Sequence, residues 1–203
     1  MFVPELRLRR TRPLFSPMDT PYPLMNAIVA VVLASGFIAL SAQAFWEIRV
    51  GPVPITGQTF SVLLVGAALG SRLGAAALLL YLAEGFIGMP VFAGGNGGWA
   101  YFSGGPTGGY LVGFVAGAYV TGWLAERGWD RHVLLTALAM SIGNVAIYLC
   151  GVVRLADFVG WAEVWAVGVQ PFLPGAAVKI ALASGLLPVA WRIRDWIYGP
   201  TAR

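Results

Sequence analysis

A chain of 203 residues that is 58% apolar and only 11% charged cannot cover a water-facing surface, because soluble domains average about 25% charged residues. The single cysteine, Cys150, excludes an internal disulfide and any cysteine-built metal cluster. The single histidine, His132, stands in a charged turn beside Arg131 and leaves no histidine-rich metal site, so no metal or other cofactor is expected. The formal charge of +4 has a meaning only once the charges are placed along the chain.

The segment from Met1 to Tyr22 is basic (Arg7, Arg9, Arg10, Arg12) and broken by prolines. The apolar stretch that follows, Leu24 to Trp46, is longer than the core of a signal peptide and long enough to cross ~30 Å of hydrocarbon. It is read as the first transmembrane helix. Further apolar runs follow at about 53–70, 72–92, 107–126, 132–153 and 172–191, with Arg72 between the second and third. The second run opens on Gly51-Pro52-Val53-Pro54, so its beginning reads as loop. The stretch 154–170 mixes Arg154, Asp157 and Glu163 with Trp161 and Trp165, a pattern for a segment lying at the membrane interface.

The expectation is an all-α integral membrane protein with six transmembrane helices, five being the main competing count. A basic segment (1–23) precedes one membrane domain (24–198), and a short tail (199–203) ends the chain. With the N-terminus in the cytoplasm, inside segments carry Arg7, Arg9, Arg10, Arg12, Arg72, Arg127, Arg131, Arg192, Arg194 and Arg203. Outside segments carry only Arg49 and Arg154. That asymmetry places both termini in the cytoplasm and the protein in the cell (inner) membrane.

Lys179 is the only lysine, and it lies in an apolar stretch just after Pro171-Phe172-Leu173-Pro174-Gly175. A charge at the bilayer centre costs about 2.5–3.5 kcal/mol on insertion scales, which makes an intramembrane lysine a functional candidate. The prolines and glycine mark a helix start, whose dipole and free N–H groups favour an anion, and Lys179 adds a full positive charge one turn further in. A lysine snorkelling to the interface is the plainer alternative.

Residues 88–110 hold nine glycines and no charge. Such a loop can fold tightly over helix ends, where Asn96, Trp99, Tyr101 and Phe102 offer one amide and three aromatic faces for a small-molecule pocket. Packing alone would also use these residues. The glycines are no phosphate loop, since no Gly-Lys-Ser/Thr follows. Glu84, near the outer end of the third helix, fits a cavity-facing, a pairing or a snorkelling role. Asn144 and Tyr148 share a helix face at i, i+4 and either line a pocket or bridge helices. Ala30 and Ala34 give a small-xxx-small spacing that lets another helix approach.

The run Val53-Pro54-Ile55-Thr56-Gly57-Gln58-Thr59-Phe60, then Gly88-Met89-Pro90-Val91-Phe92, then Gly105-Pro106-Thr107-Gly108-Gly109-Tyr110-Leu111-Val112-Gly113-Phe114, and Pro171-Phe172-Leu173-Pro174-Gly175 with Lys179, resemble the BioY family. These are biotin-specific substrate-binding (S) components of energy-coupling-factor (ECF) transporters. The resemblance covers roughly residues 24–192. It implies a six-helix S-component fold and a biotin pocket near the outer face, built from loop residues, Gln58 among them, and from the start of helix six. Lys179 matches the family's lysine and would pair with a polar end of biotin, while the aromatic loop covers the fused ring. The implied partners are membrane lipid, a transmembrane coupling subunit and two ATP-binding subunits, with no nucleic acid. Small residues of helix one, here Ala30 and Ala34, would make the coupling contact. Where the family carries an aspartate three residues before the lysine, this chain has Ala176. Lys179 then lacks that partner, so either affinity falls or another acceptor, such as Glu84 or Asn96, compensates.

An intramembrane enzyme is disfavoured because the spans contain no histidine and no nucleophile–base pairing. A stand-alone secondary biotin transporter would need a buried acid for ion coupling, and Glu84 is the one interior candidate. An S component for another small vitamin is the remaining alternative.

Overall fold

The computed structural model describes residues 11–16, 21–43 and 51–199. Arg7, Arg9, Arg10, Arg49 and Arg203, which contribute to the predicted arginine asymmetry, lie outside the described residues, as do residues 44–46 of the first run and all of the tail after 199. Among the described residues the secondary structure is helical, apart from one isolated bridge between Phe92 and Asn96.

The first helix, α1, is Pro23–Ser41. A second helical run, Gln58–Phe86, has 29 residues and would be about 44 Å long if straight. It is not straight. Gly70, at φ 81° and ψ 176°, reverses the chain. The run is therefore a hairpin of α2 (58–69) and α3 (71–86), and the Nε2 of Gln58 donates to the hydroxyl of Tyr81 at 2.7 Å. The reversal comes at Gly70 rather than at Arg72 because that backbone conformation is essentially open only to glycine. The carboxylate of Glu126 caps α3 from outside, accepting from the Ser71 N–H at 2.8 Å and the Ser71 hydroxyl at 2.7 Å, where the helix dipole favours negative charge.

A short helix α4 (Trp99–Gly104) follows the glycine-rich loop, then α5 (Gly108–Ala125) and α6 (Val133–Val159). The expected interfacial segment at 154–170 begins as regular helix instead. Residues 154–159 contain no breaker, and α6 runs on until Gly160 at φ 79°. Only then come a turn, the short α7 (Val164–Gly168) and the long α8 (Leu173–Tyr198). Inside α8, Pro188 cannot donate a backbone hydrogen bond. Among the described residues, six helices long enough to serve as bundle elements result, two of them the arms of the hairpin. With the hairpin taken as one stretch and α7 joined to α8, five stretches are long and apolar enough to cross a membrane.

The bundle is centred on the α2–α3 hairpin, α5 and α6, with Tyr81, Phe92, Met140, Ile147 and Leu155 fully buried. Along the α5–α6 seam, Gly109, Gly113 and Gly117 meet Gly143 and Gly151. A Cβ on Gly113 would lie 2.7 Å from the Ile147 carbonyl oxygen, so the two backbones touch with no side chain between them. The outward surface is apolar: Leu24, Leu33 and Leu40 on α1, Leu134 and Leu149 on α6, and Val178 and Leu182 on α8 are exposed. Such a surface suits lipid, not water. The chain just before α1 also packs on the bundle. Thr11 donates through N–H and hydroxyl to the Glu126 carbonyl, and Leu14 is buried.

At the end of the bundle remote from the glycine-rich loop, Asp130 in the α5–α6 turn is 1% exposed. Trp191 of α8 donates its indole N–H to one carboxylate oxygen of Asp130 at 2.5 Å, and the guanidinium of Arg131 lies 4.0 Å from the Trp191 ring centroid. The other carboxylate oxygen is buried without a partner. Burial pushes this carboxyl from its ordinary 3.8 up to about 6, against the opposing pull of the Trp191 hydrogen bond and Arg131. A folded state that holds its proton more tightly than the unfolded one is most favoured, as far as this group goes, below about pH 4. It loses that advantage as pH rises through about 6, by up to ~3 kcal/mol. Asp130→Asn is expected to flatten this part of the profile, measured as melting temperature in detergent between pH 4.5 and 7.5. Parallel profiles for the two proteins would contradict it.

Candidate functional site

Lys179 lies two turns inside α8, and its side chain leans back toward the helix start, as helical side chains do. There it meets the beginning of α2. Its ammonium donates to the Thr56 carbonyl at 2.6 Å and to the Thr59 hydroxyl at 2.8 Å. The lysine therefore crosses between the two helices rather than snorkelling outward.

A hydrogen-bonded chain fixes this corner. The Thr56 hydroxyl donates to the side-chain oxygen of Gln58 at 3.0 Å and accepts from the Gln58 N–H at 3.2 Å. Gln58 in turn donates to Tyr81, whose hydroxyl donates to the Val91 carbonyl at 3.0 Å. Buried polar groups that satisfy one another in sequence are rigid. Here they join α2, α3 and the glycine-rich loop behind Lys179.

In front of the lysine opens a cavity between the start of α2, α5, α6 and α8. Among its polar groups, Thr56, Gln58, Thr59 and Lys179 are joined by hydrogen bonds at one end, and Thr107 is a further one. Its other walls are mostly apolar or aromatic, with Val53, Leu111, Phe114, Tyr101, Tyr148 and Phe172. The Tyr110 and Tyr148 rings flank Phe172 at centroid separations of 6.0 and 6.2 Å. Tyr110 spends its hydroxyl on the Gly168 carbonyl at 2.7 Å, so it offers the cavity mainly its ring. One charged donor at a polar end of an aromatic chamber suits a small, largely apolar molecule with a polar or anionic terminus.

Of the nine residues predicted to bind substrate, Lys179, Gln58, Tyr101 and Tyr148 line this cavity. Asn144, 5% exposed, lines a smaller crevice behind Lys179, between α2, α6 and α8. The others are placed elsewhere. Asn96 is exposed and staples its own turn, donating from its side chain to the Ala93 carbonyl at 2.7 Å while its carbonyl accepts from Phe92. Trp99 is 60% exposed and packs with Phe102 and Phe86, outside the chamber. Glu84 accepts from the buried Ser35 hydroxyl of α1 at 2.5 Å, away from the cavity. Neither of the acceptors expected to compensate for Ala176 is therefore beside Lys179. Ala176 itself is buried and lines the inner crevice.

Ala34 is buried and Ala30 partly so, both on the face of α1 packed into this chain's own core. Their small size serves the approach of α1 to the hairpin, whereas α1 turns its larger residues outward. Thr56, Thr59, Thr107, Tyr110, Phe114 and Phe172 join the cavity without having been singled out. Each lies in one of the sequence blocks that carry the family resemblance, and that position was the available signal. The α4 segment covers one side of the chamber through Tyr101, whose ring stacks on Phe92 at 5.7 Å. Its C-terminal end is held by the guanidinium of Arg154, which donates to the Ser103 carbonyl and also pairs with Asp157 at 3.2 Å.

This helical arrangement is that of an S component. The fold matches a crystal structure described as the S-component for biotin from an ECF-type ABC transporter. The TM-score is 0.75 at 24% identity, over 87% of this chain and 94% of the other. The BioY family model matches residues 12–195, and the chain belongs to the BioY family. It is 39% identical over 169 residues to the biotin transporter BioY of Rhizobium etli, spanning 79% of this chain and 87% of that one. To the biotin transporter BioY of Thermotoga maritima it is 38% identical over 157 residues, 76% of this chain and 90% of the relative. The relatives are thus named as transporters, and the chain is a multi-pass protein of the cell membrane.

Proposed function

We propose that this chain captures biotin and serves as the substrate-binding S component of an ECF-type uptake system. The observation that carries the reading is Lys179, a lone intramembrane lysine facing an aromatic-walled chamber, in a chain that belongs to the BioY family. The chamber's polar end would hold a polar terminus of biotin, and its aromatic and aliphatic walls would cover the fused rings. Gln58, Tyr101 and Tyr148 complete the binding set, and Thr56 and Thr59 hold the lysine in place.

The role is binding rather than catalysis. Import would then draw on a transmembrane coupling subunit and two ATP-binding subunits, the arrangement supported by the S-component-like fold. Both termini lie in the cytoplasm in this reading, as the arginine asymmetry supports. Isothermal titration of purified protein with biotin, riboflavin and thiamine is the test. Biotin should bind in the nanomolar to low micromolar range, and the other two vitamins at least about a hundredfold more weakly, a difference near 2.7 kcal/mol. Equal or absent binding of all three would refute the assignment.

A further inference from the structure

The arginines at the end of the bundle remote from the glycine-rich loop are not equivalent. In the α5–α6 connection, Arg127 finds an acceptor in the preceding helix, the Trp123 carbonyl at 2.7 Å, and covers the Trp123 ring. Arg131 has no such acceptor: among the described residues, nothing accepts from its side-chain N–H groups. Its guanidinium lies 4.0 Å from the Trp191 ring centroid, with Nε fully buried and without a partner. The two terminal amino groups, Nη1 and Nη2, are neither buried nor bonded.

The seat under this guanidinium is fixed. Trp191 is 3% exposed, and its indole N–H is held by Asp130. That acid does not take up the arginine, since its second oxygen is buried without a partner. The same ring lies 5.2 Å from the guanidinium of Arg194, which also faces Asp195 at 3.6 Å and is partly exposed. Arg192 beside it is exposed. Three arginines against Asp130 and Asp195 leave an excess of positive charge. Just beyond, α8 turns out Trp196 and Tyr198, both largely exposed, as aromatic residues are at the headgroup level of a membrane.

At that depth the acceptors matched to a guanidinium are lipid phosphates. A phosphate takes two parallel N–H bonds from one arginine, and a guanidinium already stacked on a ring loses little freedom in making them. We propose that Arg131, seated on Trp191, binds the phosphate of an anionic lipid headgroup of the phosphatidylglycerol class. Arg194 and Arg192 supply the selectivity, because a zwitterionic headgroup brings a cation of its own toward them. The site stands whatever the chamber at the other end of the bundle binds.

The full chain in a nonionic detergent, titrated with dioctanoyl phosphatidylglycerol or dioctanoyl phosphatidylcholine and read by native mass spectrometry, tests this. Wild type should hold the first about tenfold or more tightly than the second. Arg131→Gln should cut that preference to about threefold or less, whereas Arg72→Gln should leave it unchanged, Arg72 being exposed at the same end. Melting temperatures show which variants are folded. If Arg131→Gln is not, Arg131→Lys replaces it: the charge stays, the fork is lost, and the phosphatidylglycerol complex should weaken about threefold or more. Equal binding of the two lipids by wild type would overturn the proposal, as would an undiminished preference in the folded Arg131 variant. An equal loss in Arg72→Gln would also overturn it, by showing a diffuse attraction to all the arginines. Sodium phosphate at the lipid's concentration should not compete, and displacement of the lipid by it would overturn the lipid assignment in favour of free phosphate.

Discussion

Lys179→Ala is expected to weaken biotin binding several hundredfold while leaving the protein folded. The ammonium is the one full charge in the chamber, and it is held by the Thr56 carbonyl just before α2 and the Thr59 hydroxyl on it rather than by an acid. Truncating one partner of a buried charged hydrogen bond typically removes about 2–5 kcal/mol of binding, and ~3.5 kcal/mol corresponds to several hundredfold. Stability should respond quite differently. The lysine's burial is itself unfavourable, so removing it offsets much of what the Thr56 carbonyl and Thr59 hydroxyl lose. Lys179→Ala should therefore melt within a few degrees of wild type. Lys179→Arg should not rescue binding, since a planar, longer guanidinium cannot occupy the same short bridge between α2 and α8. Titration calorimetry with a parallel melting curve tests both halves, and wild-type affinity in Lys179→Ala would remove the lysine from the site.

Gly70→Val should reverse that pattern, with the fold lost before the ligand matters. Gly70 adopts φ 81° and ψ 176°, a region essentially confined to glycine. A Cβ there would also lie 2.8 Å from the Glu126 carboxylate oxygen and 3.4 Å from the Pro13 side chain. That same oxygen caps α3 through Ser71. Backbone strain of ~1–3 kcal/mol would thus be joined by disturbance of a helix cap worth about 1 kcal/mol more. For a chain near 200 residues each kcal/mol moves the melting temperature by about 2–4 °C, so a drop near 10 °C or outright failure to purify is expected. Gly70→Ala should fall in between. A melting temperature within 2 °C of wild type for Gly70→Val, measured by size-exclusion after heating, would show that the reversal tolerates a side chain after all.

Hydropathy made the spans legible because lipid demands long uninterrupted apolar segments, and each run found a helix. Arg72 drew attention as a boundary because charge stands out in such a background. The actual turn was set by a backbone conformation, to which hydropathy is blind, and Gly70 looks like any of the other glycines in the run. Lys179 was legible for the same reason that Arg72 was. In the glycine-rich loop, composition named the right region but not the right faces. Trp99 and Phe102, three apart on a helix, share a side and pack on Phe86, whereas Tyr101 turns the other way into the chamber. The partner of Glu84 is Ser35, 49 residues earlier in the chain, a pairing that no local pattern announces. Thr56 and Thr59 were equally silent, since a threonine near a helix start reads first as an ordinary polar residue.

The glycine seam between α5 and α6 bears on selectivity. Tyr110, Leu111 and Phe114 of α5 and Tyr148 of α6 form one wall of the chamber, and behind them the two backbones are already in contact. The two helices cannot move closer there, since even a Cβ on Gly113 would lie 2.7 Å from the Ile147 carbonyl oxygen. The six-residue α4 also reaches the chamber, through Tyr101, and Arg154 holds its C-terminal end. The side of the chamber that α5 and α6 share therefore has a backing with no slack, and a guest has to fit the space in front of it.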